Sequence, residues 1–135
     1  MNSDPTLQDW TVLVVDDEAD ASEVVRLLLE GCGAEVILAP SAEHALSILT
    51  ETNQQMTAIV ADLALPNMTG WDLLKALKAT PALSQIPAVA VTAYHSTTTA
   101  REATQAGFAA YFSKPINSKT FVEDLIKAIN TSVPN

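Results

Sequence analysis

The chain has 135 residues, which is the length of one domain. Its apolar fraction of 48% excludes a disordered chain, and 7 basic against 16 acidic side chains give a net charge of −9 that repels nucleic-acid phosphate. A lone cysteine, Cys32, excludes an intramolecular disulfide or a cysteine-built metal cage, and no apolar run approaches the ~18 residues of a membrane-spanning helix.

Residues 1–10 lack the basic start and apolar middle of a signal peptide and read as a flexible lead-in. With the reducing environment that the cysteine usage suggests, the expected location is the cytoplasm. One domain is expected over 11–130, with 131–135 as a C-terminal tail too short to build an output domain.

Five apolar runs of strand length follow in order, at 11–15, 35–39, 57–61, 88–92 and 109–113. Each is β-branched or aromatic-rich and nearly free of polar residues, as strands buried on both faces are. Helical periods alternate with them. The first carries Ala21, Val24, Val25 and Leu28 and is stopped by Gly31 and Gly33, and the second follows Pro40 with Ser41 as cap. The third starts at Gly70 after the cap Thr69, runs through Leu73, Leu74 and Leu77, and stops at Thr80-Pro81. The fourth, 96–106, contains Thr97, Thr98 and Thr99, which are poor helix formers, and is closed by Gly107, so it is the expected mobile element. The fifth follows Pro115, capped by Asn117 or Ser118, with Phe121, Val122, Leu125 and Ile129 on one face. This α/β order is (βα)5, for which right-handed crossovers predict a doubly wound sheet of five parallel strands with helices on both faces.

Ligands of such sheets sit beyond the carboxyl ends of the strands. Strand 1 ends in Asp16-Asp17, strand 3 in Asp62, strand 4 in Thr92 and strand 5 in Ser113-Lys114-Pro115, so these residues converge on one rim. Two carboxylates about 5 Å apart repel by roughly 3 kcal/mol at an effective dielectric of ~20. A divalent cation together with Lys114 would balance Asp16, Asp17 and Asp62. An all-oxygen donor set without Cys or His suits Mg²⁺ or Mn²⁺. His44, His95, Trp10, Trp71 and Cys32 read as solvated or packing residues, because none stands at metal-ligand or redox spacing.

The ordered set of Asp16-Asp17, Asp62 followed by Leu63-Ala64-Leu65-Pro66-Asn67-Met68-Thr69-Gly70, Thr92-Ala93 and Lys114-Pro115 resembles the receiver domain of two-component response regulators, in its single-domain, chemotaxis-regulator-like form. The resemblance implies a flavodoxin-like strand order 2-1-3-4-5. It implies that Asp62 accepts a phosphoryl group from a phosphohistidine of a sensor histidine kinase or histidine phosphotransfer protein in a Mg²⁺-dependent step. Asp17 would bind the metal directly and Asp16 through water, with Asp62 and the Ala64 carbonyl as further ligands. Lys114 would pair with the phosphoryl oxygens, Thr92 would hydrogen-bond them, Tyr111 would respond as a switch, and Lys114-Pro115 would be cis. Ala64 and Tyr94 stand at the variable positions that set phosphoryl lifetime. Leu65 and Thr69 depart from the residues frequent in the family, with little consequence expected.

The resemblance implies a signalling module that catalyses its own phosphorylation and dephosphorylation, not an enzyme acting on a separate substrate. A downstream protein would dock on the face of helix 4, strand 5 and helix 5, where charges are few, chiefly Arg101, Glu102, Lys119 and Asp124, so a monomer or weak dimer is expected. The alternative is a metal-dependent phosphohydrolase with an Asp nucleophile. That class calls for an Asp-x-Asp arrangement, which Asp62-Leu63-Ala64 lacks.

Overall fold

A computed structural model describes residues 6–51, 55–93 and 96–132. The strands are β1 (Thr11–Val15), β2 (Glu35–Ala39), β3 (Ala58–Asp62), β4 (Ala88–Thr92) and β5 (Ala110–Ser113). The helices are α1 (Ala19–Gly31), α2 (Ala42–Glu51), α3 (Gly70–Ala79), α4 (Thr97–Ala106) and α5 (Phe121–Ser132). All strand pairs are parallel, in the order β2-β1-β3-β4-β5. No helix among the described residues is long and apolar enough to cross a membrane.

The central strands β1, β3 and β4 are buried at every position, because helices cover both faces of the sheet. Strand side chains alternate between faces, and here the alternation sorts the core in two. Val12 and Val14, Ala58 and Val60, and Val89 and Val91 pack with Val25 and Leu29 of α1 and with Phe121, Leu125 and Ile129 of α5. Leu13 and Val15, Ile59 and Ala61, and Ala88 and Ala90 pack with Ala45 of α2, Leu73, Leu74 and Leu77 of α3, and Ala103 of α4.

Local signals explain most helix ends. Thr69 accepts a hydrogen bond from the Asp72 N–H while the Asp72 carboxylate accepts from the Thr69 N–H, a reciprocal box that starts α3. Ser96 caps α4 by accepting from the Thr99 N–H, and Gly107 ends it with φ +119°. Only Ala103 of α4 is fully buried, so this helix is held to the body by little apolar contact.

Five boundaries differ from the expectations, one of them the start of α4, where Ser96 is the cap and not the first helical residue. β3 spans 58–62 instead of 57–61, because Asp62 still pairs with Val91 of β4, while Thr57 is tied to Thr11 through both its N–H and its hydroxyl. β5 begins at Ala110, one residue later than expected. α5 begins at Phe121: the Asn117 carbonyl accepts from the N–H groups of Thr120 and Phe121, making a separate turn ahead of the helix. The helix also continues to Ser132, so 131–132 belong to it and not to a tail.

The lead-in is also corrected over 6–10. Leu7 is fully buried in the α1/α5 half of the core, its N–H donates to the Cys32 carbonyl at 2.7 Å, and the Trp10 carbonyl accepts from the Glu35 N–H at 2.9 Å. The segment thus straps the end of α1 to the start of β2.

Gly70 lies against the end of β3, where a Cβ would stand 2.4 Å from the Asp62 carbonyl oxygen and 2.8 Å from the Leu63 Cα. Only the lack of a side chain allows this approach. Two stability changes are expected in urea unfolding. Leu7→Ala should lower stability by about 3 kcal/mol, as emptying a buried leucine site does. Gly70→Ala should lower it by about 2 kcal/mol, as overpacking against backbone does.

Candidate functional site

The strand register assembles the site. Val15 of β1 pairs with Ala61 of β3, so the next residues, Asp16 and Asp62, are neighbours at the point where strand order reverses. Both are buried, at 8% and 5% exposure. Both also form the same local turn: Asp16 Oδ1 accepts from the Glu18 N–H at 2.9 Å, and Asp62 Oδ1 accepts from the Ala64 N–H at 2.9 Å. The second oxygen of each carboxylate is thereby left for the cleft.

Lys114 fills that position. Its backbone N–H donates to the Thr92 carbonyl at 2.9 Å, which fixes the end of β5 against β4. Its ammonium donates to Asp16 Oδ2 at 2.9 Å, Asp62 Oδ2 at 2.8 Å and Glu18 Oε1 at 2.8 Å. The Lys114–Pro115 peptide is cis. Asp16, Asp17 and Asp62 each offer a carboxylate oxygen, all within 4.8 Å of one another, and Asp17 is exposed. Three carboxylates, those of Asp16, Glu18 and Asp62, thus bond one ammonium, and Asp16, Asp17 and Asp62 form an all-oxygen set that could hold a hard cation.

The surroundings sharpen these charges. A cavity of about 380 Å³ opens beside the site, with Asp16, Glu18, Asp62 and Lys114 at one side and Val24, Val25 and Ile116 among its walls. Burial pushes the Asp16 carboxyl above its ordinary range, against the hydrogen bonds from Lys114 and the Glu18 N–H that favour its charged form. The Glu18 carboxyl is lowered by its hydrogen bond to Lys114. Burial disfavours the Lys114 ammonium, but its three carboxylate partners outweigh that and raise its pKa, so it is a cation throughout the neutral range.

The structure thus brings Asp16, Asp17, Asp62 and Lys114 together. Thr92 ends β4, only 1% exposed, and its carbonyl binds Lys114. Tyr111 is half-buried against the α2–α4 half of the core and in register with Ala90, two residues before Thr92. Ala64 is exposed and bonded to Asp62 through its N–H. Tyr94 lies outside the described residues, so its expected role in phosphoryl lifetime has no structural counterpart here.

Glu18, the third partner of Lys114, is not among the site residues expected from the sequence. Glu18 occupies the N-cap position of α1, with extended backbone and no capping hydrogen bond from its side chain.

Comparison with known proteins agrees with this geometry. The family profile described as the response regulator receiver domain matches residues 12–127. The chain is 37% identical over 112 residues to an uncharacterized 14.6 kDa protein in the sodA1 3′ region of Leptolyngbya boryana, covering 83% of this chain and 84% of that protein. It is 33% identical over 115 residues to the polar-differentiation response regulator DivK of Brucella ovis, covering 85% of this chain and 92% of DivK. The structure of the chemotaxis response regulator CheY4 of Vibrio cholerae superposes with a TM-score of 0.80 at 26% identity, over 88% of this chain and 98% of that one. With β-strand order, strand-end residues and family match in agreement over 12–127, the chain belongs to the response regulator receiver domain family.

Proposed function

We propose that this receiver domain is phosphorylated on Asp62 by a phosphohistidine of a sensor histidine kinase or phosphotransfer protein, and that phosphorylation changes which proteins it binds. The observation that carries the reading is the placement of Asp62: a buried carboxylate ending a central strand, flanked by Asp16 on β1 and by the Lys114 ammonium.

An ionised carboxylate needs no general base, so the chain's task is alignment and charge neutralisation. The Ala64 N–H holds Asp62 Oδ1 and so orients the group, while Oδ2 lies toward Lys114. A carboxylate oxygen of Asp62 forms a bond to phosphorus as the P–N bond of the phosphohistidine breaks, and that electron pair returns to the imidazole nitrogen. Lys114 meets the phosphoryl oxygens as they arrive. Asp16, Asp17 and Asp62, with the Ala64 carbonyl, are the residues that would hold Mg²⁺ or, less specifically, Mn²⁺. The bound ion supplies positive charge that offsets both the carboxylates and the incoming phosphoryl group.

The Asp62-Leu63-Ala64 sequence gives no second acid at the nucleophile, and the Ala64 side chain has nothing to donate, which speaks against the phosphohydrolase reading. The readout is proposed to run through the hydroxyl of Thr92 toward Tyr111, which lies beside a small groove of about 230 Å³ formed with Phe112, Phe121 and Asp124. The partner would dock on this α4–β5–α5 face of a monomer or weak dimer in the cytoplasm.

Incubation with Mg²⁺ and phosphoramidate should add one phosphoryl mass to the protein, and Asp62→Asn or EDTA should abolish the addition. Labelling that persists in either case contradicts the assignment. Thr92→Ala should still be labelled, yet lose most of the beryllofluoride-induced NMR shifts around Tyr111. Shifts equal to those of the unaltered protein would place the coupling elsewhere.

A further inference from the structure

We propose that Glu18 is a positioning residue that restrains Lys114 in the unphosphorylated protein and gives it up on phosphoryl transfer, so that it slows phosphorylation while leaving dephosphorylation unchanged. This rests on the reading of Asp62 as the acceptor.

An ammonium has three donors. In Lys114 all three are engaged, by Asp16, Asp62 and Glu18 at 2.8–2.9 Å. An arriving phosphoryl oxygen therefore has to displace one acceptor. The Asp16 and Asp62 carboxylates are buried, and losing the lysine would leave each with a desolvated charge. The Glu18 side chain is 66% exposed, so water replaces Lys114 at little cost, and Glu18 is the partner that yields.

The direction of the effect follows. The Glu18–Lys114 pair lowers the free energy of the unphosphorylated ground state but is absent when phosphorus is being transferred, which raises the barrier. The carboxylate also adds negative charge beside an anionic donor. Once Asp62 is phosphorylated, Lys114 already faces the phosphoryl oxygens in both the ground state and the hydrolytic transition state. Glu18 then has no differential contact through which to act. A residue that merely supported the fold would not separate the two rates in this way.

The substitutions are mild. The Glu18 side chain makes no capping bond at α1, so Glu18→Gln, which removes its charge, and Glu18→Ala, which removes the acceptor as well, leave the helix start in place. Glu23→Gln is the control, because it removes the same charge from the same helix but from a residue paired with Arg26.

With phosphoramidate and Mg²⁺, both Glu18 variants should be phosphorylated faster by up to about fivefold, the upper end for an exposed ion pair, with unchanged dephosphorylation, and Glu23→Gln should match the unaltered chain. In the free protein, NMR of the Lys114 ammonium should show its signal broadened or shifted in both Glu18 variants and unmoved in Glu23→Gln. Equal phosphorylation rates in Glu18→Gln and Glu23→Gln, a slower rate in the Glu18 variants, or a parallel change in the rates of phosphorylation and hydrolysis would overturn the proposal. So would an unaltered Lys114 signal, which needs no phosphorylation to be read. Failure of the unaltered protein to take up any phosphoryl group would instead overturn the assignment of Asp62, with the lysine signal still deciding whether Glu18 holds Lys114.

Discussion

The bond network of one side chain, Lys114, ties this molecule together at its functional end. Its backbone is fixed to Thr92 on β4, and its ammonium reaches Asp16 after β1, Glu18 at the start of α1 and Asp62 on β3. Asp16, Asp17 and Asp62 offer carboxylate oxygens within 4.8 Å of one another, and one ammonium does not neutralise the set. Asp16 shows the consequence: burial keeps its pKa above the ordinary 3.8 even with Lys114 beside it. The folded state therefore binds its proton more tightly than the unfolded chain, so the contribution of Asp16 to stability is greatest below 3.8 and declines as pH rises through the higher folded value. Glu18 and Lys114 are shifted the other way, toward their charged forms, by the ion pair between them and by the further carboxylates around Lys114.

Much of this was legible in the residue order because the determinants are local. β1, β2 and β4 lie where their apolar runs stand, and Thr69 and Gly107 mark the helix ends expected of them. The convergence of Asp16, Asp62, Thr92 and Lys114 was also readable, since in a parallel sheet every strand delivers its carboxyl end to one rim. What stayed hidden depends on distant partners. Leu7 stands alone in a polar stretch, without periodicity, and its burial depends on the carbonyl of Cys32 and on the α1/α5 core. The one-residue extension of β3 is set by the pairing of Asp62 with Val91, not by hydrophobicity. Glu18 meets Lys114 across 96 positions of sequence, and a long exposed side chain leaves no local trace of where it reaches.

The alternation of the strands also divides the labour of the sheet. Asp62 follows Ala58 and Val60, which face α1 and α5, and Lys114 follows Ala110 and Phe112 in the same sense. Thr92 follows Ala88 and Ala90, which with Tyr111 face the α2–α4 side. On the proposed reading, charge added at Asp62 arises on one side of the sheet, and the Thr92 hydroxyl, at the very end of β4, is placed where that charge can be felt on the other. The two sides are not equally firm. α5 is anchored by Phe121, Val122, Leu125 and Ile129, whereas α4 is anchored by Ala103 alone and begins with three threonines of low helix propensity. On the same reading, a perturbation passed through Thr92 and Tyr111 therefore meets least resistance at α4, so that within the α4–β5–α5 face the change should be greatest on the α4 side.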